Sequence, residues 1–348
     1  MSPIKVAVIG LGRAGLNIHI ARMRGDERFR ITGVTDWEPE RVQEVTADLG
    51  CPGFVDYQEL LAQTDADAVV VASASNSHPD VTCDVLRSGR HAICEKPMAS
   101  TAAEARRMIA TAQETGQLLF MHHNRRFSRE FLHLKQIVEG QRLGEVFEIR
   151  MRELRFMRRF DWQTLSRFDG GVINNAGSHY LDLGMQLLGA PVTKVYCDLK
   201  QIASAGDVED HIKVVLTAAN GRVYDLEISL ACPFAEPKWT ICGTHGAMTS
   251  DGRTSHLKWF DPTQLAPITA DPGAAANRRY DNDDVITWQE EQVEATAPGS
   301  GDFYDNLWGV LREGQEMVVK PEEAAEVVRV IESCKQYSGF YDHPRPVI

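Results

Sequence analysis

Apolar and polar positions follow one pattern up to about residue 124 and another beyond it. In the first third, short continuous apolar runs such as Val69-Val70-Val71 alternate with stretches of helical period. The runs predict strands at 4–9, 29–35, 67–72, 90–94 and 117–121. The periodic stretches predict helices at 38–49, 78–88 and 102–115. Uninterrupted apolar runs are expected of strands covered on both faces. The expected fold is therefore α/β: an N-terminal doubly wound parallel sheet of Rossmann type.

Beyond residue 124 the period drops to two. Alternation at 145–152, 194–199, 211–217, 222–230 and 239–242 predicts strands, and Asn220-Gly221 between two of them reads as a hairpin turn. Strands without intervening helices imply a mostly antiparallel sheet. Residues 262–300 are rich in Ala, Pro, Gly and Asp and predict a long surface excursion. A helix over 321–336, with Pro at its first position, closes the chain. The expected division is 1–123 for the first domain and 124–348 for an α+β second domain, whose last helix can pack back toward the first.

The first predicted strand runs straight into Gly10-Leu11-Gly12-Arg13-Ala14-Gly15. In such a Gly-x-Gly-x-x-Gly turn the first glycine allows the tight turn. The second lets backbone approach a pyrophosphate, and the third lets the helix pack on the strand. The helix that begins near Arg13 turns its N–H groups toward the phosphates. Alone the motif is a weak signal. Its context strengthens it, because the second predicted strand ends at Asp36, placed to accept hydrogen bonds from an adenosine ribose. A carboxylate there also repels a 2′-phosphate. Of the residues that follow, only Arg41 is basic, and Glu38 and Glu40 lie beside it. NAD is expected rather than NADP.

Composition sets limits. The chain has 348 residues, 43% hydrophobic and 25% charged, which suits a globular protein of two domains. A net charge of −12 argues against a nucleic-acid surface. No apolar run reaches membrane-spanning length. The chain enters a strand at once, so no signal peptide is expected. Seven scattered cysteines without a Cys-x-x-Cys suggest reduced thiols, a cytoplasmic location and no structural metal. Five arginines crowd residues 150–159: Arg150, Arg152, Arg155, Arg158 and Arg159. In an acidic chain a solvated strand face is the favoured explanation, and a site for an anionic substrate is the sharper one.

Two further stretches carry chemistry. Glu95-Lys96-Pro97 follows the strand at 90–94, at the carboxyl edge where open α/β sheets bind ligands. A lysine there can be merely solvated. If desolvated, it moves toward the working range of acid/base chemistry. The second stretch is Gly170-Gly171 followed by Asn175, His179 and Asp182 on a predicted helix. Residues four apart share a face. A hydrogen-bonded core histidine is the plain alternative. Beside a nicotinamide, His179 is a credible general base.

The glycine turn, Glu95-Lys96-Pro97, Asn124-Arg125-Arg126-Phe127 and Gly170-Gly171…Gly177-Ser178-His179…Asp182 together resemble the Gfo/Idh/MocA family of oxidoreductases, over nearly the whole chain. Ser75-Asn76-Ser77-His78 is similar to the family's cofactor-side loop after the fourth strand. The resemblance implies a Rossmann domain, a large open sheet in the second domain, and NAD(P)-dependent redox chemistry at a carbon of a sugar, sugar derivative or cyclitol. It implies Lys96 and His179 as catalytic residues. It places Ser73, Ser75, Asn76, His78, Glu95 and Lys96 beside the cofactor. Asn175, Asp182, Arg126, Tyr180 and Asp161 become substrate-side candidates. One position departs: many members carry Asp where this chain has Asn175, and an amide orients a histidine without stabilising its charge.

The expected protein is a cytoplasmic, NAD-dependent dehydrogenase or reductase of a polyhydroxylated small molecule, working as a homodimer or homotetramer. Alternatives are a glycoside-cleaving enzyme that oxidises transiently with bound NAD, and a non-catalytic NAD sensor.

Overall fold

The structure is a computed structural model, and it describes residues 1–270, 272–273, 284–295 and 301–342. Six parallel strands form the first sheet: β1 (Ile4–Ile9), β2 (Phe29–Thr35), β3 (Gly53–Phe54), β4 (Ala68–Val71), β5 (His91–Cys94) and β6 (Leu119–Met121). Their order, β3-β2-β1-β4-β5-β6, reverses between β1 and β4, and that crevice is where such a sheet binds a dinucleotide. All four residues of β4 are fully buried, as its continuous apolar run requires. Helices α1 (Ala21–Met23), α2 (Pro39–Leu49), α3 (Tyr57–Gln63), α4 (His78–Arg87) and α5 (Ala102–Thr115) cover the sheet. Thr101 starts α5 with a reciprocal cap: its hydroxyl accepts from Glu104 N–H and the Glu104 carboxylate accepts from Thr101 N–H.

Helix α6 (Arg129–Glu139) leads into the second domain. Its eight-stranded sheet contains β7 (Val146–Leu154), β8 (Val192–Lys200), β9 (His211–Ala218), β10 (Val223–Ser229), β11 (Trp239–Gly243), β12 (Gly246–Ser250), β13 (Thr254–Phe260) and β14 (Trp288–Glu294). The order is β14-β13-β12-β11-β7-β10-β9-β8, antiparallel except for β10 beside β7. On the inner face Ile212, Val214, Leu216 and Ile149 are buried, under α6 and α7 (Ser178–Leu188).

The outer face is polar. Arg152 pairs with Asp225 at 2.6 Å, Lys213 with Asp225 at 2.8 Å, and Arg150 with Glu148 at 2.5 Å. For Arg150 the arginine cluster is thus a solvated strand face, whereas Arg152 is largely covered within its ion pairs on the same sheet. Arg155, Arg158 and Arg159 lie beyond the end of β7.

The C-terminal segment joins the two cores. Phe303, Tyr304 and Leu307 of α8 (Phe303–Trp308) belong to the first core. In α9 (Pro321–Tyr337), Ala324 and Val328 pack into the first core and Val327, Val330, Ile331 and Cys334 into the second. The expectation of one surface excursion over 262–300 needs correcting. Residues 288–294 are β14, paired with β13 from Phe260↔Trp288 to Thr254↔Glu294. Its polar sequence, Trp-Gln-Glu-Glu-Gln-Val-Glu, has no apolar alternation because it is an edge strand exposed on both faces. Residues 271, 274–283 and 296–300 of that range lie outside the described residues.

Candidate active site

The glycine turn has the shape its sequence predicts. Gly10 has φ +93°, and a Cβ on Gly15 would meet Gly10 O at 1.8 Å. A Cβ on Gly12 meets nothing within 4 Å, so the backbone opens onto free space where a pyrophosphate would approach. Asp36 follows β2 directly. Its carboxylate accepts from Leu11 N–H at 2.7 Å and from Glu38 N–H at 3.0 Å. Arg41 lies 3.6 Å from Asp36 and 3.0 Å from Glu38, so the one nearby cation is tied to both acids. These residues fit a dinucleotide whose ribose rests on Asp36. Arg13 is exposed at the start of the helix, and Ala14 is half-buried behind it.

At the carboxyl edge a cleft of about 220 Å³ is lined by Ser75, Lys96 and Pro97 from the first domain and by Trp162, Gln163, Gly170 and Asn175 from the second. Its central contact crosses between domains. Lys96 Nζ donates to both Asn175 O and Asn175 Oδ1 at 3.1 Å. The Asn175 amide nitrogen donates to Gln163 Oε1 at 2.9 Å, which also accepts from Arg159 at 2.6 Å. The whole carboxamide is thereby oriented, with its oxygen toward the lysine. Asp161 is exposed, caps the turn Trp162–Thr164 and pairs with Arg159 at 2.7 Å. Asn76 bridges the domains by donating to Arg167 O at 3.1 Å.

Burial lowers Lys96, and the charges of Arg125, Arg13 and Arg159 lower it further against Glu95. Burial also pushes His179 well below its ordinary value, helped by the Lys96 and Arg125 charges. His179 is therefore a neutral imidazole at neutral pH. Its Nδ1 is buried with no hydrogen-bond partner, so only Nε2 is left to meet a substrate. The His123 ring stands edge-on to it at 6.4 Å.

Several predicted site residues face elsewhere. Asp182 is buried and does not open on the cleft. It pairs with Arg126, which donates from Nε at 2.8 Å and from Nη2 at 2.5 Å, and Arg126 also reaches Glu323 at 2.5 Å. Arg126 and Asp182 thus fasten α7 to the turn after β6 and to α9. The Tyr180 hydroxyl accepts from Arg125 at 2.7 Å and donates to Glu153 at 3.0 Å. His78 is buried under the site, its ring nitrogens 2.8 Å from Pro97 O and 3.2 Å from Ser73 O. It braces two loops and offers no free nitrogen to a cofactor. The Ser73 hydroxyl bonds Ser77 at 2.7 Å.

Glu95 also points inward. Oε1 accepts from His122 at 2.7 Å and from His19 at 3.0 Å, and Oε2 from Lys96 N–H at 3.0 Å. Burial alone would raise Glu95, but His122 and His19 overcome it and hold the carboxyl well below the usual range. Tyr304 completes the network at His19 Nδ1, 2.5 Å away. His19, Glu95 and His122 bring ligand-type atoms within 4.8 Å of one another. Those atoms are already bonded among themselves, so the arrangement serves to fix Glu95, which in turn holds the Lys96 backbone.

Sequence reasoning missed Gln163, Arg125, His19 and His122. Gln163 sits in an irregular stretch with no periodic signal. Arg125 and Arg126 are neighbours that only the packing tells apart.

Comparison with known proteins agrees with this geometry. A family model described as "Oxidoreductase family, NAD-binding Rossmann fold" matches residues 4–123, and the "GFO/IDH/MocA C-terminal domain" model matches 131–249. The chain belongs to the Gfo/Idh/MocA family. Within that family an uncharacterized oxidoreductase of Schizosaccharomyces pombe is 31% identical, over 72% of this chain and 71% of its own. The myo-inositol 2-dehydrogenase of Thermotoga maritima is 28% identical, over 71% of this chain and 75% of its own. The WlbA dehydrogenase of Bordetella pertussis, solved with NADH and UDP-GlcNAcA, shares the fold with a TM-score of 0.75. It is 25% identical, and the match covers 99% of this chain and 100% of that one. The protein is thus an oxidoreductase with an NAD-binding Rossmann domain. Among the described residues no helix is long and apolar enough to cross a membrane.

Proposed function

We propose that this protein moves a hydride between NAD and a CH–OH carbon of a sugar, sugar derivative or cyclitol, with Lys96 and His179 handling the hydroxyl proton. The observation that carries this reading is the bond from Lys96 to Asn175. It draws the lysine of the cofactor domain and the His179 helix of the second domain into one cleft. When bound, the nicotinamide supplies the hydride acceptor or donor. Neutral His179 accepts the hydroxyl proton at Nε2, and the Lys96 ammonium stabilises the developing alkoxide. Asn175 holds Lys96 in place. The relatives named above support a polyhydroxylated substrate. The experiment is a panel of sugars, sugar derivatives and cyclitols, scored by NADH formation, with NADP run in parallel. Net NADH release separates a dehydrogenase from an enzyme that oxidises only transiently. No turnover anywhere, with NAD still bound, would favour the sensor.

NAD is the proposed cofactor because Asp36 stands at the ribose position and Arg41 is held by Asp36 and Glu38. Asp36→Ser is expected to relax discrimination against NADP, measured as the ratio of kcat/KM for the two cofactors. Tighter binding of NADP than of NAD by the native protein in calorimetry would refute this use of Asp36.

A homodimer or homotetramer is the proposed assembly. The outer face of the eight-stranded sheet carries no covering helix among the described residues, and faces of that size commonly meet a second copy. Light scattering at micromolar concentration should show at least a dimer, and a monomer there would end the proposal. All seven cysteines are free thiols, which suits a cytoplasmic protein.

A further inference from the structure

An imidazole that accepts a proton at Nε2 carries its own hydrogen at Nδ1, and a buried N–H normally has an acceptor. Asn175, four residues before His179, does not supply one: its side-chain oxygen is committed to Lys96 and its nitrogen to Gln163. Four buried side-chain atoms lack a hydrogen-bond partner among the described residues, and two of them are His179 Nδ1 and His123 Nδ1. The two rings stand edge to face with centres 6.4 Å apart. That spacing is too long for a direct bond between ring nitrogens and suits one bridging water.

His123 lies in the turn after β6. Its N–H bonds Met121 O at 2.9 Å and its carbonyl accepts from Arg126 N–H at 3.1 Å, so a fixed backbone sets the ring. His123 Nδ1 is 3.6 Å from Asp182 Oδ2, close enough to feel the carboxylate and too far for a hydrogen bond. Asp182 shares Arg126 with Glu323. Two carboxylates against one guanidinium leave that cluster a net charge of −1. A carboxylate beside an imidazole orients it and favours its charged form. With Nδ1–H turned to Asp182, His123 has Nε2 free to accept.

We infer that His123 is the positioning residue for His179: through one water it accepts from His179 Nδ1–H, which fixes the tautomer that leaves Nε2 open to the substrate, and it brings the charge of the Asp182 cluster to bear on the imidazolium formed when the hydroxyl proton arrives. The inference rests on the oxidoreductase reading of the cleft and adds the partner that Asn175 does not provide. One proton moves. It passes from the hydroxyl to His179 Nε2, while the Nδ1 hydrogen stays in its bond toward His123, and Nε2 releases it to solvent once the product leaves. Burial lowers both histidines, so both are neutral at rest. Lys96 and Arg125 lower His179 further, Arg126 and Lys96 lower His123, Asp182 raises His123 and Glu95 raises both.

The test is 15N NMR of the histidine rings in the NAD-loaded protein, labelled at histidine and followed over pH, with His179→Gln assigning the His179 signals. The native ring should be the Nδ1–H tautomer. His123→Phe, similar in size but without an acceptor, should mix the two tautomers and move the onset of His179 protonation to lower pH, because the imidazolium loses its partner. His123→Gln keeps an acceptor and should hold the Nδ1–H form, and it serves if the Phe variant does not fold. With any compound of the panel that is oxidised, His123→Phe should lower kcat about 10–100-fold at nearly unchanged KM. The acid limb should move to lower pH, opposite in sign to Lys96→Ala. A packing role alone would lower the thermal midpoint and leave the tautomer untouched. A native His179 protonated at Nε2, or an Nδ1–H form and onset unmoved by His123→Phe, overturns the inference, and turnover in the panel then leaves the oxidoreductase reading standing. The expected spectra with no sugar, derivative or cyclitol ever oxidised would keep the pairing and sink that reading.

Discussion

Lys96→Ala and His179→Ala should each cut turnover by about 10²–10⁴-fold, the usual contribution of a general acid or base, while NAD affinity stays nearly unchanged. Neither side chain lies in the glycine turn or at Asp36, so cofactor titration serves as the control. Asn175→Ala should cost less, because an amide positions Lys96 but takes no proton. The pH profile gives the sign. Burial and the Lys96 charge lower His179, so in the native enzyme the base form persists into acid. Removing the lysine charge should let His179 rise, moving the acid limb of the residual activity to higher pH. Should His179→Ala keep near-native turnover and an unchanged profile, the histidine is structural and Lys96 is the sole base.

The largest stability effect is expected at the Arg126–Asp182 pair. Both side chains are almost wholly buried, 3% and 1% exposed, so Arg126→Met strands the Asp182 charge without water, while Asp182→Leu leaves Arg126 with Glu323 as its remaining carboxylate. Breaking such a pair typically costs about 3–5 kcal/mol. Asp182→Leu or Arg126→Met should therefore lower the thermal midpoint markedly. The double variant Arg126→Met/Asp182→Leu should recover part of the loss, because it leaves no Asp182–Arg126 charge unmatched. The measurement is thermal unfolding of all three with NAD absent. Midpoints for the single variants equal to the native one would show that Asp182 is free to serve the cleft after all.

This pair shows where sequence reasoning stops. Asn175, His179 and Asp182 share a face at ideal helical spacing, yet Asn175 meets Lys96 while Asp182 turns to Arg126. The chain makes a wider π-type turn over Ile173–Gly177, which shifts the phase between Asn175 and the residues after it. Spacing alone carries no mark of such a turn. The arginine cluster divides in a related way. Arg150 and Arg152 find acids on their own and neighbouring strands, whereas Arg159, in an irregular stretch, pairs with Asp161 and also reaches Gln163 at the cleft.

The sequence by itself determined what depends on near neighbours. Apolar runs and alternation set the strands of the first sheet except the two-residue β3, and in the second sheet β7 to β11 but not β12, β13 or β14. Backbone sterics set the glycine turn, and position at the end of β2 set Asp36. These follow from periodicity and φ/ψ limits, which act within a few residues. Tertiary structure alone decided the partners of buried charge. It placed Glu95 between His19 and His122, Arg126 on Asp182, and Arg125 on Tyr180. Each pairing joins residues 27 to 76 positions apart, and its energy comes from shared desolvation once the elements have packed. Edge strand β14 was hidden for a related reason: its backbone bonds to β13 hold it, and they leave no trace in side-chain polarity.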